Sequence, residues 1–303
     1  RVKENDLPFF INLKFYLNEN KFNCPTPIKD FNGNVINTIQ NKKAVIISFI
    51  EGKKLIKPNL NHCEEMGKII GKFHNLTLNF KEKRGNSLDI KELKRIYEKC
   101  ENNNLNNFKE IIKDIKKEIE YIEKFWPTNL PSGIIHGDLF KDNIFFKNNK
   151  ISGVIDFYFS CYHFYIYDLA ILINDWCFDI EESNFNELFY REILKGYNSK
   201  RKLQDNELSS FNILLRAAAI RILITRLHDD IFQLVTGIHL VVVIEHRLLG
   251  AHHVLRRARI CAARIPFGEV PASFSRTWRT TLLGRRLSSR SIYTSLTRTW
   301  RRT

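Results

Sequence analysis

One histidine, two aspartates and an asparagine lie close together in the middle of the chain. The apolar pair Ile134-Ile135 ends at His136-Gly137-Asp138, and Asn143 is the fifth residue after Asp138. A second aspartate, Asp156, ends an apolar segment directly afterwards. Phosphoryl transfer from ATP needs such a set, because one carboxylate accepts the proton of the attacking hydroxyl while an amide and a second carboxylate hold Mg²⁺ against the phosphates. The residues therefore predict ATP- and Mg²⁺-dependent phosphoryl transfer.

The segments around these residues are predicted to bring them together. Ile144–Phe146 and Ile151–Ile155 have the composition of short strands, and Asn148-Asn149 between them is typical of a hairpin turn. Such a hairpin would return Asp156 to the loop that carries Asp138. The spacing also matches the kinase catalytic loop, in which a metal-binding aspartate follows the base and the asparagine.

We assign Asp138 as the catalytic base and His136 as a residue that orients its loop. Asn143 and Asp156 are assigned as the Mg²⁺ ligands. The alternative is that Asp138 and Asn143 are turn residues, chosen because short polar side chains bond to nearby backbone groups. The combination of loop, hairpin and final aspartate favours the catalytic interpretation.

Several segments resemble the aminoglycoside-phosphotransferase and choline-kinase superfamily. They read HGDLFKDN, GVIDFY and YDLAILINDWC, with further likeness at DLPFFINLKFYL, CPTPI and LLRAAAIRILITRLHD. Within that superfamily the chain is most similar to the homoserine kinases with a protein-kinase-like fold. The resemblance covers residues 1–233 in order and then stops.

The resemblance implies ATP-dependent phosphorylation of the side-chain hydroxyl of L-homoserine, a step of threonine biosynthesis. It also implies a two-lobed α+β fold, with a partial nucleotide-side lobe in residues 1–52 and a mostly helical catalytic lobe in residues 53–233. Ser48 and Ile50 would belong to the hinge, whose backbone meets the adenine edge. The alternatives are a kinase for choline, an aminoglycoside or a sugar amine, and a non-catalytic fragment.

In relatives of this kind a glycine-rich loop and a lysine-bearing strand hold the phosphates. By the resemblance both would precede Arg1, and no GxGxxG sequence occurs in the chain. Since phosphoryl transfer depends mainly on positioning and charge stabilisation, we expect the chain as written to be a weak catalyst or an inactive one.

Charged residues within two apolar segments are candidates for substrate binding. Homoserine carries an ammonium and a carboxylate, for which Asp175 and a forked arginine are the expected counterparts. On one predicted helix, Arg216 and Arg226 lie about 80° apart, with Arg221 well away from both. The alternative is pairing between such arginines and acids inside the protein. Asp168, close to Asp175, is expected to anchor the catalytic loop.

The positive charge is concentrated from Leu234 onward. This tail contains 13 arginines, no lysine and two acids, or +11 of the net +15, so residues 1–233 carry only +4 and give no case for nucleic-acid binding. The tail repeats SRTWRT as TRTWRR and has poor helical periodicity, so we expect residues 234–303 to lie outside the fold. The alternative is a nucleic-acid-binding tail in which Trp278 and Trp300 stack on bases.

Cysteine usage and hydropathy indicate the compartment. Six cysteines are scattered without a CxxC pair, which favours reduced thiols in a cytoplasm over a disulfide framework or a metal site. No apolar run approaches the ~20 residues of a membrane span. We therefore expect a cytoplasmic enzyme with a small-molecule substrate and no membrane partner.

Overall fold

The computed structural model describes residues 2–55, 57–102, 109–178 and 184–235. The helices are α1 (Leu7–Glu19), α2 (Leu60–Leu76), α3 (Ile90–Asn102), α4 (Lys109–Lys124), α5 (Tyr165–Trp176), α6 (Glu187–Asn198) and α7 (Asp205–Val235). The strands are β1 (Ile36–Ile39), β2 (Lys42–Val45), β3 (Lys53–Lys54), β4 (Ser132–Ile135), β5 (Ile144–Lys147), β6 (Lys150–Val154) and β7 (Cys161–Phe164). The fold is α+β, as predicted. Beyond Val235 the predicted tail lies outside the described residues.

The predicted hairpin is formed by β5 and β6. The strands pair antiparallel from Ile144 opposite Val154 to Lys147 opposite Lys150. Both turn residues are left-handed, with φ of 52° at Asn148 and 59° at Asn149, which matches the right-handed twist of the strands. β3 pairs with the other edge of β5 and completes a sheet of order β3-β5-β6. Asp156 therefore follows the end of a strand whose position is fixed by its partner.

A second small sheet carries the catalytic loop. β4 pairs antiparallel with β7, and Ile135 lies opposite Cys161. The prediction did not include β7, because its residues lead straight into the aromatic start of α5 without turn residues to mark a strand. The pairing holds the last residue of β4 just before the sequence His136-Gly137-Asp138.

Two predicted boundaries are wrong. The apolar residues of Ala44–Ile50 predict one strand, but β2 ends at Val45, which lies opposite Ile36, the first residue of β1. Beyond it, Ile47 makes only an isolated bridge with Pro27. The segment Leu214–Asp230 is predicted from its sequence to be a helix, but the helix begins earlier, at Asp205.

Glycines allow α2 and α6 to pack in direct backbone contact. A Cβ at Gly67 would lie 2.1 Å from the carbonyl oxygen of Ile193, and one at Gly196 would lie 2.0 Å from that of Glu64. Real side chains cannot occupy either space, so the helices lie closer than larger residues would allow. His74 on α2 and Tyr197 on α6 meet as a result.

α7 is a core helix. By length and composition alone its segment Asp205–Asp229 could cross a membrane, but 61% of the apolar window is buried inside the protein. It packs against α3, α4 and α5. Burial against other helices accounts for its apolar character, as in a globular domain.

Candidate active site

A buried carboxylate holds the loop that follows β4. Asp168, in the first turn of α5, is 0% exposed. It accepts hydrogen bonds from the backbone N–H groups of His136 and Gly137, each at 2.7 Å. Gly137 has a φ of +77°, and a Cβ there would lie 2.7 Å from the carbonyl oxygen of Phe159. A glycine and a buried anion therefore determine how the loop presents Asp138.

Two further side chains support Asp168. The ring of His74 bonds to Asp168 through Nε2 at 3.1 Å and to the Tyr197 hydroxyl through Nδ1 at 2.8 Å. Because a carboxylate only accepts, the proton of His74 is on Nε2 and the Tyr197 hydroxyl donates to Nδ1. Burial favours the protonated form of Asp168, but the bonds from His74 and from the loop outweigh it and lower the pKa of Asp168. Burial also lowers the pKa of His74.

Substitution of Asp168 by asparagine should destabilise the fold. The asparagine amide would turn an N–H donor towards one of the N–H groups that Asp168 now accepts, which leaves a buried donor unsatisfied and should cost about 2–3 kcal/mol. Urea unfolding at pH 7 would measure this loss. Asp142→Asn is the matched control, because Asp142 lies on the same loop but is exposed and its ion pair with Lys54 at 3.5 Å is solvated. Equal stability of the two variants would contradict the role of Asp168.

The loss of stability caused by Asp168→Asn should also depend on pH. The pKa of Asp168 is lower in the folded protein than the ~3.9 of an unfolded chain. A depressed pKa contributes stability that is complete above the unfolded value and is lost as the pH falls through the folded value. The stability difference between the natural protein and Asp168→Asn should therefore be full at pH 7 and shrink below about pH 4. A stability difference that grows as the pH falls would contradict the stabilising role of the ionised Asp168.

Asp138 is a partly buried residue that contacts Asn143 and Arg221. Asn143 Nδ2 donates to its backbone oxygen at 2.8 Å and to its Oδ2 at 2.9 Å. Arg221 Nη2 lies 3.4 Å from its Oδ1, and Arg221 also donates to the carbonyl of Gly137. Burial raises the pKa of Asp138, while the Arg221 guanidinium opposes that rise. A carboxylate with a raised pKa is suited to accepting a proton from an alcohol.

His136 links the loop to the end of the hairpin. Its Nε2 donates to the carbonyl of Ile155 at 3.0 Å, and its Nδ1 accepts from the N–H of Asp138 at 3.2 Å. Burial lowers the pKa of His136, which agrees with a neutral ring that has one donor and one acceptor. The side chain is thus engaged on both nitrogens, a geometry that supports the orienting role assigned from the sequence.

Asn143 and Asp156 offer oxygen ligands beside Asp138. Asn143 uses its nitrogen for both bonds to Asp138, which leaves its carbonyl oxygen for a cation. Asp156 is exposed and left-handed, with φ 62° and ψ 65°. Among the described residues no group of three or more His, Cys, Asp or Glu side chains could hold a metal ion alone. One carboxylate and one amide fit Mg²⁺, which usually completes its shell with phosphate oxygens and water.

A cavity of about 380 Å³ opens beside Asp156. We call it the Asp156 cavity. Ser48 and Ile50, predicted at the hinge, both line it, together with the apolar Phe145 and the ring of Tyr158. The Ser48 N–H donates to the Thr26 carbonyl, and Ser48 Oγ accepts from the Thr26 N–H at 2.9 Å. The structure therefore brings the two hinge residues and the second aspartate to one cavity.

A larger cavity of about 830 Å³ opens beside Asp138. We call it the Asp138 cavity. Arg221 and Arg226 line it from α7, and the acids Asp89 and Asp229 lie on its walls. The cavity thus presents groups of both charges next to the carboxylate that is assigned as the base, as an amino-acid substrate would require.

Two of the predicted substrate residues lie elsewhere. Arg216 is buried, ion-paired with Glu118, and its guanidinium lies 4.1 Å from the ring centre of Tyr121. Its prediction as a carboxylate ligand is therefore corrected in favour of the internal pairing that was the alternative. The Asp175 carboxylate accepts from the N–H of Lys141 at 2.8 Å, which places it against the catalytic loop and not among the residues that line the Asp138 cavity.

Arg221 is the functional candidate that the sequence prediction set aside. An ideal helix wheel separates it from Arg216 and Arg226, but the packing of α7 turns Arg221 and Arg226 to one cavity and Arg216 away from it. The sequence feature that could have identified Arg221 is its position within the apolar run Ala217–Ile224, because a buried cation is unfavourable unless it is paired. The same reasoning had already singled out Asp175.

Comparisons with known proteins identify the family of this chain. Residues 2–203 match the phosphotransferase enzyme family. The homoserine kinase of Bartonella henselae is 40% identical over 229 residues, which are 76% of this chain and 72% of that protein. The homoserine kinase of Agrobacterium fabrum is 38% identical over 229 residues, 76% of this chain and 71% of that protein.

Solved structures show the same fold. An amicoumacin kinase in complex with AMP-PNP and Ca²⁺ superposes with a TM-score of 0.64 at 18% identity, over 86% of this chain and 78% of the other. A choline kinase from Cryptosporidium parvum gives 0.58 at 17% identity, over 87% and 81%. At these identities the likeness shows the fold alone, and it confirms the predicted protein-kinase-like class.

Proposed function

Because this chain belongs to the phosphotransferase enzyme family, we propose that it transfers the γ-phosphoryl group of ATP to the side-chain hydroxyl of L-homoserine. The similarity to homoserine kinases, 40% identity over 76% of the chain, is the observation that carries this proposal. It covers the catalytic loop, the hairpin and the helix that lines the Asp138 cavity. Phosphorylation of homoserine would place the protein in threonine biosynthesis, in the cytoplasm.

Asp138 would accept the proton of the substrate hydroxyl. Its burial and raised pKa keep it basic enough for that task, and Asn143 and Arg221 hold its carboxylate in place. Arg221 also donates to the Gly137 carbonyl, so it fixes the loop and the side chain together. Because phosphoryl transfer depends on alignment, such fixed geometry supports the reaction directly.

Asn143 and Asp156 would hold Mg²⁺, which neutralises phosphate charge when bound. The Asp156 cavity would bind the nucleotide, with the adenine ring between the backbone of Ser48–Ile50 and the side chains of Phe145 and Tyr158. Its largely apolar lining suits an adenine ring. Asp156 would then lie at the phosphate end.

Arg226, with Arg221 beside it, would bind the carboxylate of homoserine in the Asp138 cavity. An arginine is well matched to a carboxylate, because its planar fork can donate two parallel hydrogen bonds. Asp89 or Asp229, on the walls of the same cavity, would face the ammonium. Asp175 would instead support the loop through the Lys141 N–H.

The direct test is ADP release from MgATP with L-homoserine, choline, an aminoglycoside and a sugar amine as separate substrates. Since the chain as written is expected to be at best a weak catalyst, we expect slow release, with homoserine as the preferred substrate and release in its absence as the blank. A preference for choline or an aminoglycoside would overturn the homoserine assignment and leave phosphoryl transfer intact. Release that no hydroxyl substrate stimulates would overturn the proposed function.

A further inference from the structure

Lys14 is a buried cation in the wall of the Asp156 cavity. It lies in the middle of α1, is 3% exposed, and lines the cavity together with Asp156 and Tyr158. Its ammonium lies 4.4 Å from the centre of the Tyr158 ring. The ammonium therefore lies beside the ring of a residue that also lines the cavity.

The other buried cations of the described chain have acid partners, and Lys14 does not. Arg216 pairs with Glu118, and Arg221 pairs with Asp138. No hydrogen bond and no ion pair joins the Lys14 ammonium to any residue in the described ranges. Burial lowers the pKa of Lys14, and the nearby Cys24 and Asp156 only partly offset that effect. An ammonium in such a place is unfavourable unless an anion enters the cavity.

We propose that Lys14 binds the phosphate oxygens of the nucleotide in the Asp156 cavity, a role that rests on the proposed function. The cavity is otherwise lined mainly by apolar groups, with Asp156 as its acid. Asp156 repels phosphates unless a cation lies between them, whereas Lys14 attracts them directly. The two groups together give the cavity one position for a metal and one for a phosphate. Tyr158, next to both, keeps the ammonium against its ring when the cavity is empty.

The role can be separated from general cavity shape by comparing ligands with and without phosphates. Binding of ADP and of adenosine to the full chain, with Mg²⁺ held constant, would be measured by isothermal titration calorimetry. Lys14→Met preserves most of the side-chain volume and removes the charge. We expect it to weaken ADP binding roughly 10- to 100-fold, as the loss of a charge-assisted hydrogen bond should, and to leave adenosine binding unchanged.

Two further variants complete the experiment. Lys14→Arg keeps the charge and should retain more ADP affinity than Lys14→Met. Lys72→Met is the matched control, because Lys72 is a lysine on α2 whose ammonium bonds to the Lys21 carbonyl at 3.0 Å and does not line the cavity. Its ADP affinity should equal that of the natural protein. Melting temperatures without ligand should show Lys14→Met to be no less stable, since it removes an uncompensated buried charge.

The outcomes are distinct. Unchanged ADP affinity in Lys14→Met would overturn the inference, and so would equal losses for ADP and adenosine, which would make Lys14 a residue that shapes the cavity. If the natural protein binds ADP but Lys14→Met behaves as the control does, the proposed function stands and only this inference fails. If the natural protein binds neither ligand, the proposed function fails and the inference fails with it.

Discussion

Asp138→Asn should lower the kcat for homoserine phosphorylation by roughly 10²–10⁴-fold, the usual contribution of a positioned general base. The asparagine keeps the size of the side chain, but its single oxygen can accept from only one of Asn143 and Arg221, and it cannot accept the substrate proton. The fold should survive, because Asp168 and not Asp138 holds the loop. Initial rates at saturating MgATP and homoserine, with a melting curve for each protein, would measure both expectations.

The pH dependence of the natural protein gives an independent check. Burial raises the pKa of Asp138, so its carboxylate becomes protonated at a higher pH than an ordinary aspartate. The value of kcat/KM should therefore fall on the acidic side at a pH above ~3.9, the usual pKa of an aspartate. Near-normal turnover by a folded Asp138→Asn protein would remove Asp138 from the role of base.

Homoserine should be phosphorylated about 10⁴-fold more efficiently than propan-1-ol, which lacks both charged groups. A site built to pair with an ammonium and a carboxylate leaves its own charged groups unpaired when either group is missing. 3-Aminopropan-1-ol lacks only the carboxylate, and 4-hydroxybutanoate lacks only the ammonium. Values of kcat/KM for the four alcohols would show how the discrimination is divided between the two groups.

The variant Arg226→Met tests whether Arg226 is the residue that binds the carboxylate of homoserine. It should lower kcat/KM for homoserine and leave the value for 3-aminopropan-1-ol nearly unchanged, since that alcohol has nothing for the arginine to bind. An equal decrease in kcat/KM for both alcohols would mean that Arg226 supports the cavity wall and does not bind the carboxylate. Similar efficiency for all four alcohols would argue against amino-acid recognition altogether.

The parts of the site that are coded locally were predictable from the sequence. Asp138 and Asn143 are neighbours on one loop, and the Asn148-Asn149 turn returns the chain to Asp156 within a few residues. Short segments of this kind have few possible conformations, so residue type and spacing suffice. The α+β class could be predicted for a similar reason, because long helices have a clear apolar periodicity in the sequence.

The parts that depend on helix packing were not predictable. Arg221 reaches Asp138 across 83 residues of chain, and His74 reaches Tyr197 across 123. A helix wheel gives the angle between Arg216 and Arg226 but not which side of α7 faces a cavity, since that depends on α3, α4 and α5. Lys14 is a similar case, because its neighbours in sequence give no sign that it lines the same cavity as Asp156.

Because α2 and α6 are in direct contact, a substitution between these two helices can impair catalysis although it lies far from the reacting groups. Those helices carry His74 and Tyr197, the pair that supports Asp168 and through it the loop of Asp138. A single methyl group at Gly67 or Gly196 would meet a carbonyl oxygen about 2 Å away and force the helices apart. Harmful natural variants should therefore collect at these two glycines as well as at the carboxylates. Such a protein would retain every reactive group and lose the alignment between them.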